Sequence, residues 1–383
     1  MRYRRLNIVL ILALITVSVT PQEIRISLYH GKEIQAMVFS TLEGEYLLSA
    51  NNKQIAVVRK GSMFHIERKG SGLAVHDTNQ SYGIFTSLQF TGVASNNVFQ
   101  IKPVLPSLPA KESDNDLSVS IFNESLRIIN RLNLEQYLPG TVEAEGGSSA
   151  LPEYYKAQAV IARTFAVKNF HRHAHEGFNL CDGTHCQAYN GKSRLNEAIY
   201  AATLSTRDEI LVDRAGEPVI AAYHANCGGL TGRASVEWNR ELPYLSPVKD
   251  PFCNNSAHRN WTKTITLREW NDYLERKGYD GKGNLFLNTI NERYKYLDQE
   301  NKKLPLTEIR NDLKLKSSYF HVSTENGSVM IIGHGYGHGL GLCQEGAMEM
   351  ARVGYSYVDI LMFYFSRVKI ATRTVSAQPG DAP

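Results

Sequence analysis

The sequence predicts an α+β fold of mixed helices and antiparallel strands, with a small β-rich N-terminal region. Three observations carry this. Residues 21–105 hold segments of strand composition, EIRISLYH and QIAVVRK among them. Turn signals at Gly31, Gly44, Asn51-Asn52 and Gly70-Ser71-Gly72 punctuate them. The stretch from Pro152 to about His173 reads as one strong helix, with Pro152 suited to its first turn. Its middle, AQAVIARTFAV, is apolar nearly all round apart from Gln158, Arg163 and Thr164, so it is expected to be central and buried. Beyond it, short helices are expected near residues 195–204, 267–276, 347–352 and 357–365. Strands are expected near 209–212, 219–223 and 329–333.

At the N-terminus, MRYRRLNIVLILALITVSVT places Arg2, Arg4 and Arg5 before a short apolar run, the pattern of a secretory signal. Ser18-Val19-Thr20 is only loosely like a cleavage site, so residues 1–20 are expected to be a signal peptide or an uncleaved signal anchor. The protein is therefore expected to be exported, to the periplasm or the extracytoplasmic face of the cytoplasmic membrane. Without residues 1–20, the formal charge falls from +4 by three arginines to +1. A nearly neutral body gives no case for nucleic acid, and membrane contact is expected only through the N-terminal segment if it stays uncleaved. Pro103 to Asp116 is rich in proline and then charged (KESDND), so residues 106–116 read as a linker. A second region runs from 117 to 373, and 374–383 reads as a flexible tail.

Four stretches could carry chemistry. In VEAEGGSSALPE, Glu143 and Glu145 are read as lying in a glycine-rich loop before the buried helix. In an extended segment they would share a face; in a tight turn they would diverge. A carboxyl group held against an apolar helix has its pKa raised and suits a general acid; an exposed loop glutamate is the plainer alternative. Arg163, a charge inside an apolar helix, must be paired, either in a structural salt bridge or with a substrate. In FNLCDGTHCQAYNG, Cys181, His185 and Cys186 with His175 upstream offer four donors within a short span. Zinc needs four such donors, and a site drawn from one loop would be closed and structural. A Cys181–Cys186 disulfide and free buried thiols remain alternatives, since five cysteines are an odd count. In GHGYGHGLGLCQEGA, glycines occupy alternate positions from Gly333 to Gly341. If extended, that segment shows a bare backbone face and a face carrying His334, Tyr336, His338 and Leu340. It lacks the lysine of a phosphate loop. Near YHANCGGLTG, Trp238 and Tyr244 suit sugar faces as well as cores.

Taken together and in order, LEQYLPGTVEAE, YYKAQAVIARTFAV, LCDGTHCQAY, YHANCGGLTG with the later PYLSPVKD, and GHGYGHGLGLCQEGA resemble the stage II sporulation protein D family. These are peptidoglycan lytic transglycosylases together with amidase-enhancer homologues. The resemblance runs from about Leu117 to Ile370, making 117–373 the expected catalytic domain around a substrate cleft. It implies Glu145 as the catalytic residue, Arg163 as required for activity or substrate binding, and His334, His338 and Gln344 as substrate contacts. It also implies a structural Zn2+ on His175, Cys181, His185 and Cys186. Gly146-Gly147 replace the family's usual Met-Pro, and Cys227 and Cys343 stand apart from its usual residues.

The implied reaction is cleavage of the MurNAc–GlcNAc bond of peptidoglycan glycan strands, expected to be free of stem peptides, leaving 1,6-anhydroMurNAc ends. One glutamate acts as general acid and then base. The alternative is a non-catalytic glycan-binding enhancer of a cell-wall amidase, which stands as a candidate partner. A zinc amidase would need an open metal position that a four-ligand loop does not leave.

Overall fold

The structure, a computed structural model, describes residues 23–94, 96–279, 292–298, 300–325 and 327–373. The expected signal segment 1–20 and the expected tail 374–383 lie outside the described residues. Two sheets form the N-terminal layer. One runs in the order Leu180–Cys181, Glu23–Leu28, Ser125–Asn133, Asp116–Phe122, Ser87–Gly92, Glu45–Ala50, Lys53–Arg59. The other runs Lys111–Asp114, Val98–Leu105, Ala36–Glu43, Met63–Lys69, Gly72–His76, Ser81–Phe85. Strand alternation is regular: AMVFSTLE and EYLLSA bury every second side chain. Their inward residues meet in one core, where Phe39 stacks on Phe90 with ring centroids 3.8 Å apart. The glycine and asparagine turns fall between strands as expected. Asn51 and Asn52 both take positive φ, at 48° and 64°, matching a two-residue hairpin turn.

Two stretches lie differently from the reading of the sequence. The strand Lys111–Asp114 lies within the expected linker and pairs antiparallel with Val98–Ile101. The β layer also continues to Asn133, because Asp116–Phe122 and Ser125–Asn133 join the sheet begun by Glu23–Leu28, with Ile26 opposite Asn130. The expected boundary at 105 therefore falls inside a paired sheet.

The helices are α1 (Leu134–Gly146), α2 (Pro152–Lys168), α3 (Glu197–Ser205), α4 (Ala234–Glu237), α5 (Leu267–Arg276), α6 (Leu306–Asp312), α7 (Gln344–Arg352) and α8 (Tyr357–Tyr364). Helix α1 is longer than the short helical turn expected from LEQYL. Asn133 caps it, accepting the Glu135 N–H at 2.8 Å while Gln136 reaches back to the Asn133 N–H. That box starts the helix firmly enough for it to run through Pro139. Helix α2 is buried on nearly every side, as its composition requires, and packs against α1, α3, α7, α8 and the strand Glu209–Val212. A third, smaller core lies between α5, α6 and the sheet Asn260–Thr266, Ser328–His334, Phe320–Glu325. Of the strand expected at 219–223 only Tyr223–His224 forms, paired parallel with Leu342–Cys343. No described helix is long and apolar enough to cross a membrane.

Candidate active site

Glu143 and Glu145 lie in the last turns of α1 rather than in a loop. Two residues along a helix turn a side chain by about 200°, so the pair diverges. Glu143 faces the segment after the cysteine loop, where its Oε2 accepts the Ser193 hydroxyl at 2.8 Å and the Leu195 N–H at 2.9 Å. Glu145 faces inward. Its Oε1 accepts the Ala188 N–H at 2.6 Å, and the Tyr223 hydroxyl also donates to its carboxylate. Burial raises the Glu145 pKa above its ordinary value; the bonds from Ala188 and Tyr223 act against that and do not overcome it. Among the described residues, no second carboxylate is among the groups that set its ionisation.

Gln344, at the start of α7, donates from Nε2 to the Glu145 backbone carbonyl at 2.9 Å. Gln344, expected as a substrate contact, is thus bonded to the backbone of Glu145. His338 lies one layer behind. Its Nδ1 accepts the Leu340 N–H at 3.0 Å, and its other nitrogen donates to the Tyr223 carbonyl. Burial, with Arg310 and Arg293 nearby, pushes it down to about 4, so the ring is neutral at neutral pH. Expected as a substrate contact, His338 instead spends both nitrogens on backbone groups, one of them the carbonyl of Tyr223, the residue that touches Glu145. His334 is placed elsewhere, in an open cavity of about 650 Å³ lined also by Gly228, Gly229, Arg259 and Tyr319. Its Nδ1 pairs with Asn260 Oδ1 at 2.7 Å, and its Nε2 has no partner among the described residues. Trp238, 38% exposed, stands beside His338 with ring centroids 5.2 Å apart.

The segment 333–341 is not an extended strand. Gly335, Gly337, Gly339 and Gly341 all take positive φ, which breaks the two-faced alternation expected of it. The close approach it was expected to permit does occur: a Cβ at Gly335 or Gly341 would strike the carbonyl of Asn226 or Ala222. The loop therefore lies directly on the chain that carries Tyr223.

Arg163 corrects a second expectation. It is fully buried, so it is no substrate clamp. Its Nε and Nη2 bind both carboxylate oxygens of Glu135 at 2.8 and 2.7 Å. Its Nη1 donates to the Glu209 carbonyl at 3.1 Å, and Nη2 donates also to the Thr203 carbonyl at 3.2 Å. It joins α1, α2, α3 and the strand after α3.

In the cysteine loop, the structure brings together His173, Cys181, His185 and Cys186, with one donor atom from each within 4.8 Å of the others. His173 stands where His175 was expected. The chain turns through a short 3-10 helix at Ala174–Glu176, leaving His175 with a 78% exposed side chain facing away. His173 is buried, its Nδ1 bonded to Glu176 at 2.6 Å and its Nε2 3.4 Å from Cys186 Sγ. A carboxylate on the far nitrogen is the usual orienting partner of a ligating histidine, so these residues fit zinc. The loop is held to the β layer. Leu180–Cys181 adds a parallel edge to Glu23–Leu28, and Asp182 accepts the Tyr29 N–H at 2.6 Å and Lys111 Nζ at 2.7 Å.

Sequence reasoning did not single out Tyr223 or His173. Tyr223 lay in plain view inside YHANCGGLTG, but only the parallel pairing shows that it meets Glu145. For His173, a helix read as continuous to that residue hid the turn that aims it at the loop.

Residues 122–212 match the family described as SpoIID: Stage II sporulation protein. An uncharacterized protein of Brachyspira hyodysenteriae is 32% identical over 257 residues, covering 65% of this chain and 69% of that protein. Stage II sporulation protein D of Bacillus amyloliquefaciens is 30% identical over 294 residues, covering 72% and 84%. The amidase enhancer of Bacillus subtilis is 25% identical over 287 residues, covering 60% of this chain and 39% of that protein.

Proposed function

Because the chain belongs to the stage II sporulation protein D family, we propose that it acts on the bacterial cell wall as a lytic transglycosylase. Its substrate is the glycan strand, cut between MurNAc and GlcNAc. One observation carries this reading: a single carboxyl group, Glu145, sits half-buried with a raised pKa, while its neighbour Glu143 is turned away and engaged. Hydrolytic glycosidases usually need two carboxyl groups. One suffices where the nucleophile is part of the substrate.

In the proposed reaction, protonated Glu145 gives its proton to the glycosidic oxygen as the bond to C1 of MurNAc breaks. The C6 hydroxyl of the same sugar attacks C1, and its proton passes to the Glu145 carboxylate. The ring closes as 1,6-anhydroMurNAc and the acid is regenerated. An intramolecular nucleophile has a large entropic advantage over water. Gln344 and His338 fix the two backbones that hold Glu145 and Tyr223. Trp238 supplies an exposed aromatic face for sugar, and His334 lines an open cavity that could hold another part of the strand. Zinc on His173, Cys181, His185 and Cys186 would stiffen the loop that delivers the Ala188 N–H to Glu145. The protein works outside the cytoplasmic membrane, where its substrate lies.

The test is product analysis by mass spectrometry on glycan strands with and without stem peptides. Wild-type protein should release anhydro-ended fragments and Glu145→Gln should not, with strand binding retained. Turnover by Glu145→Gln at the wild-type rate would exclude Glu145. Strand binding without release by the wild type would favour an enhancer of another enzyme, as the name of the Bacillus subtilis relative suggests.

A further inference from the structure

Three of the five cysteines are not part of the His173 loop, yet they meet. Cys227 follows the strand Tyr223–His224, Cys253 lies in the turn after Asp250, and Cys343 precedes α7. All three are buried, at 0%, 1% and 0% exposure, and Asp250 is buried with them at 1%. Cys227 Sγ lies 3.5 Å from Cys253 Sγ and 3.2 Å from Asp250 Oδ2, and the four donor atoms are all within 4.8 Å of one another. We propose that Cys227, Asp250, Cys253 and Cys343 form a structural zinc site, separate from the His173 loop.

Geometry, charge and the surrounding shell of the cluster all fit a zinc ion. The first is geometry. A tetrahedral ion with sulfur at about 2.3 Å and oxygen at about 2.0 Å sets sulfur–sulfur edges of about 3.8 Å and sulfur–oxygen edges of about 3.5 Å. The Cys227–Cys253 and Cys227–Asp250 spacings are each about 0.3 Å below these edges. The second is charge. Asp250 is a carboxylate inside an apolar core, and its partners are the Cys227 thiol, the Phe252 N–H at 2.8 Å and the Tyr364 hydroxyl at 2.9 Å. None of these is a cation, and a buried carboxylate without one is costly. A divalent ion supplies the missing charge. The third is the surrounding shell. The Cys227 N–H points at Cys343 Sγ at 3.2 Å, Tyr364 and Phe252 orient Asp250, and Arg293 Nη2 donates to the Cys227 carbonyl at 2.8 Å. The N–H on Cys343 would steady a metal-bound thiolate, and the bonds to Asp250 would orient a metal-bound carboxylate. Gly346 completes the packing, since a Cβ there would strike both Asp250 and the Tyr364 hydroxyl.

A disulfide fits less well. Sulfurs would have to close to about 2.05 Å, one cysteine would be left over, and Asp250 would still lack a cation. Three thiols and a carboxylate of this softness select a tetrahedral zinc-like ion over magnesium or calcium. Uptake releases the thiol protons to solvent. The ion would pin the segments bearing Tyr223 and Gln344, the two side chains that reach Glu145.

Metal analysis of the full chain, prepared under reducing conditions, tests this with Cys253→Ala, Cys343→Ala and Cys186→Ala. Each cluster variant should lose about one equivalent of zinc that Cys186→Ala retains. Where the cluster variants fail to fold, Cys186→Ala itself decides. Loaded with cobalt(II), it should show tetrahedral d–d bands and thiolate charge transfer. Its Cys227, Cys253 and Cys343 should resist alkylation until a chelator is added. The proposal is overturned if folded Cys253→Ala keeps all the wild-type zinc, or if Cys186→Ala binds neither metal. Recovery of two of the three cysteines as a disulfide would overturn it as well.

Discussion

Replacing Arg163 with methionine separates a structural role from a substrate-binding one. The change keeps the length of an unbranched side chain in α2 but removes two charge-assisted bonds to Glu135 and two bonds to carbonyls. Breaking a buried ion pair by removing one partner costs about 3–5 kcal/mol. Glu135 keeps 13% of its side-chain surface, so water can partly rehydrate it and the low end applies, about 3 kcal/mol. For a chain of 383 residues, with an unfolding entropy of about 2.1 cal/mol/K per residue, that lowers Tm by about 4 °C. Thermal and denaturant unfolding measure the loss, and strand cleavage by the folded fraction should keep its KM. The double variant Glu135→Gln/Arg163→Met should recover part of the stability, because the stranded charge is gone. Wild-type stability with a raised KM would refute the reasoning and return Arg163 to the substrate.

Other outcomes follow from the same geometry. His173→Ala should lose the zinc of the cysteine loop while His175→Ala keeps it, read by metal content of the folded proteins. Tyr223→Phe removes a donor that favours the Glu145 carboxylate, so the Glu145 pKa should rise further and the alkaline limb of kcat/KM should move to higher pH. Stability carries the matching sign. The folded pKa of Glu145 lies above its ordinary value of 4.5, so the folded state binds the proton more tightly. The fold is therefore penalised progressively as pH rises from about 4.5 through the folded value. Glu145→Gln removes that penalty and should be at least as stable as wild type at neutral pH, with its advantage vanishing on acidification.

What the sequence revealed and what it hid divide along physical lines. Local patterns were legible. The strand composition of EIRISLYH and QIAVVRK, the paired asparagines at 51–52 and the all-round apolarity of α2 each follow from short-range geometry. Helix α1 was half hidden, because Pro139 and Gly140 argue against a helix that the Asn133 cap nonetheless starts. That misreading put Glu143 and Glu145 in a loop, where their divergence could not be decided. The expected linker failed for a related reason: its prolines at 103, 106 and 109 read as an interruption, whereas Lys111–Asp114 is an edge strand that needs only one paired side. The site residues were found by type, and their roles were set by contacts from afar. Arg163 is claimed by Glu135, His338 by Leu340 and Tyr223, and His173 displaces His175 because of a single turn. Cysteines 227, 253 and 343 are 26 and 90 residues apart along the chain, a spacing with no local signature.

The most direct test of the central claim is to run the reaction in water enriched in heavy oxygen and weigh the new sugar ends. A substrate hydroxyl acting as nucleophile predicts MurNAc ends one water lighter than hydrolysis products and carrying no heavy oxygen, with Glu145→Gln silent. Ends that incorporate heavy oxygen would mean that water attacks C1, and the single-carboxylate mechanism would be wrong.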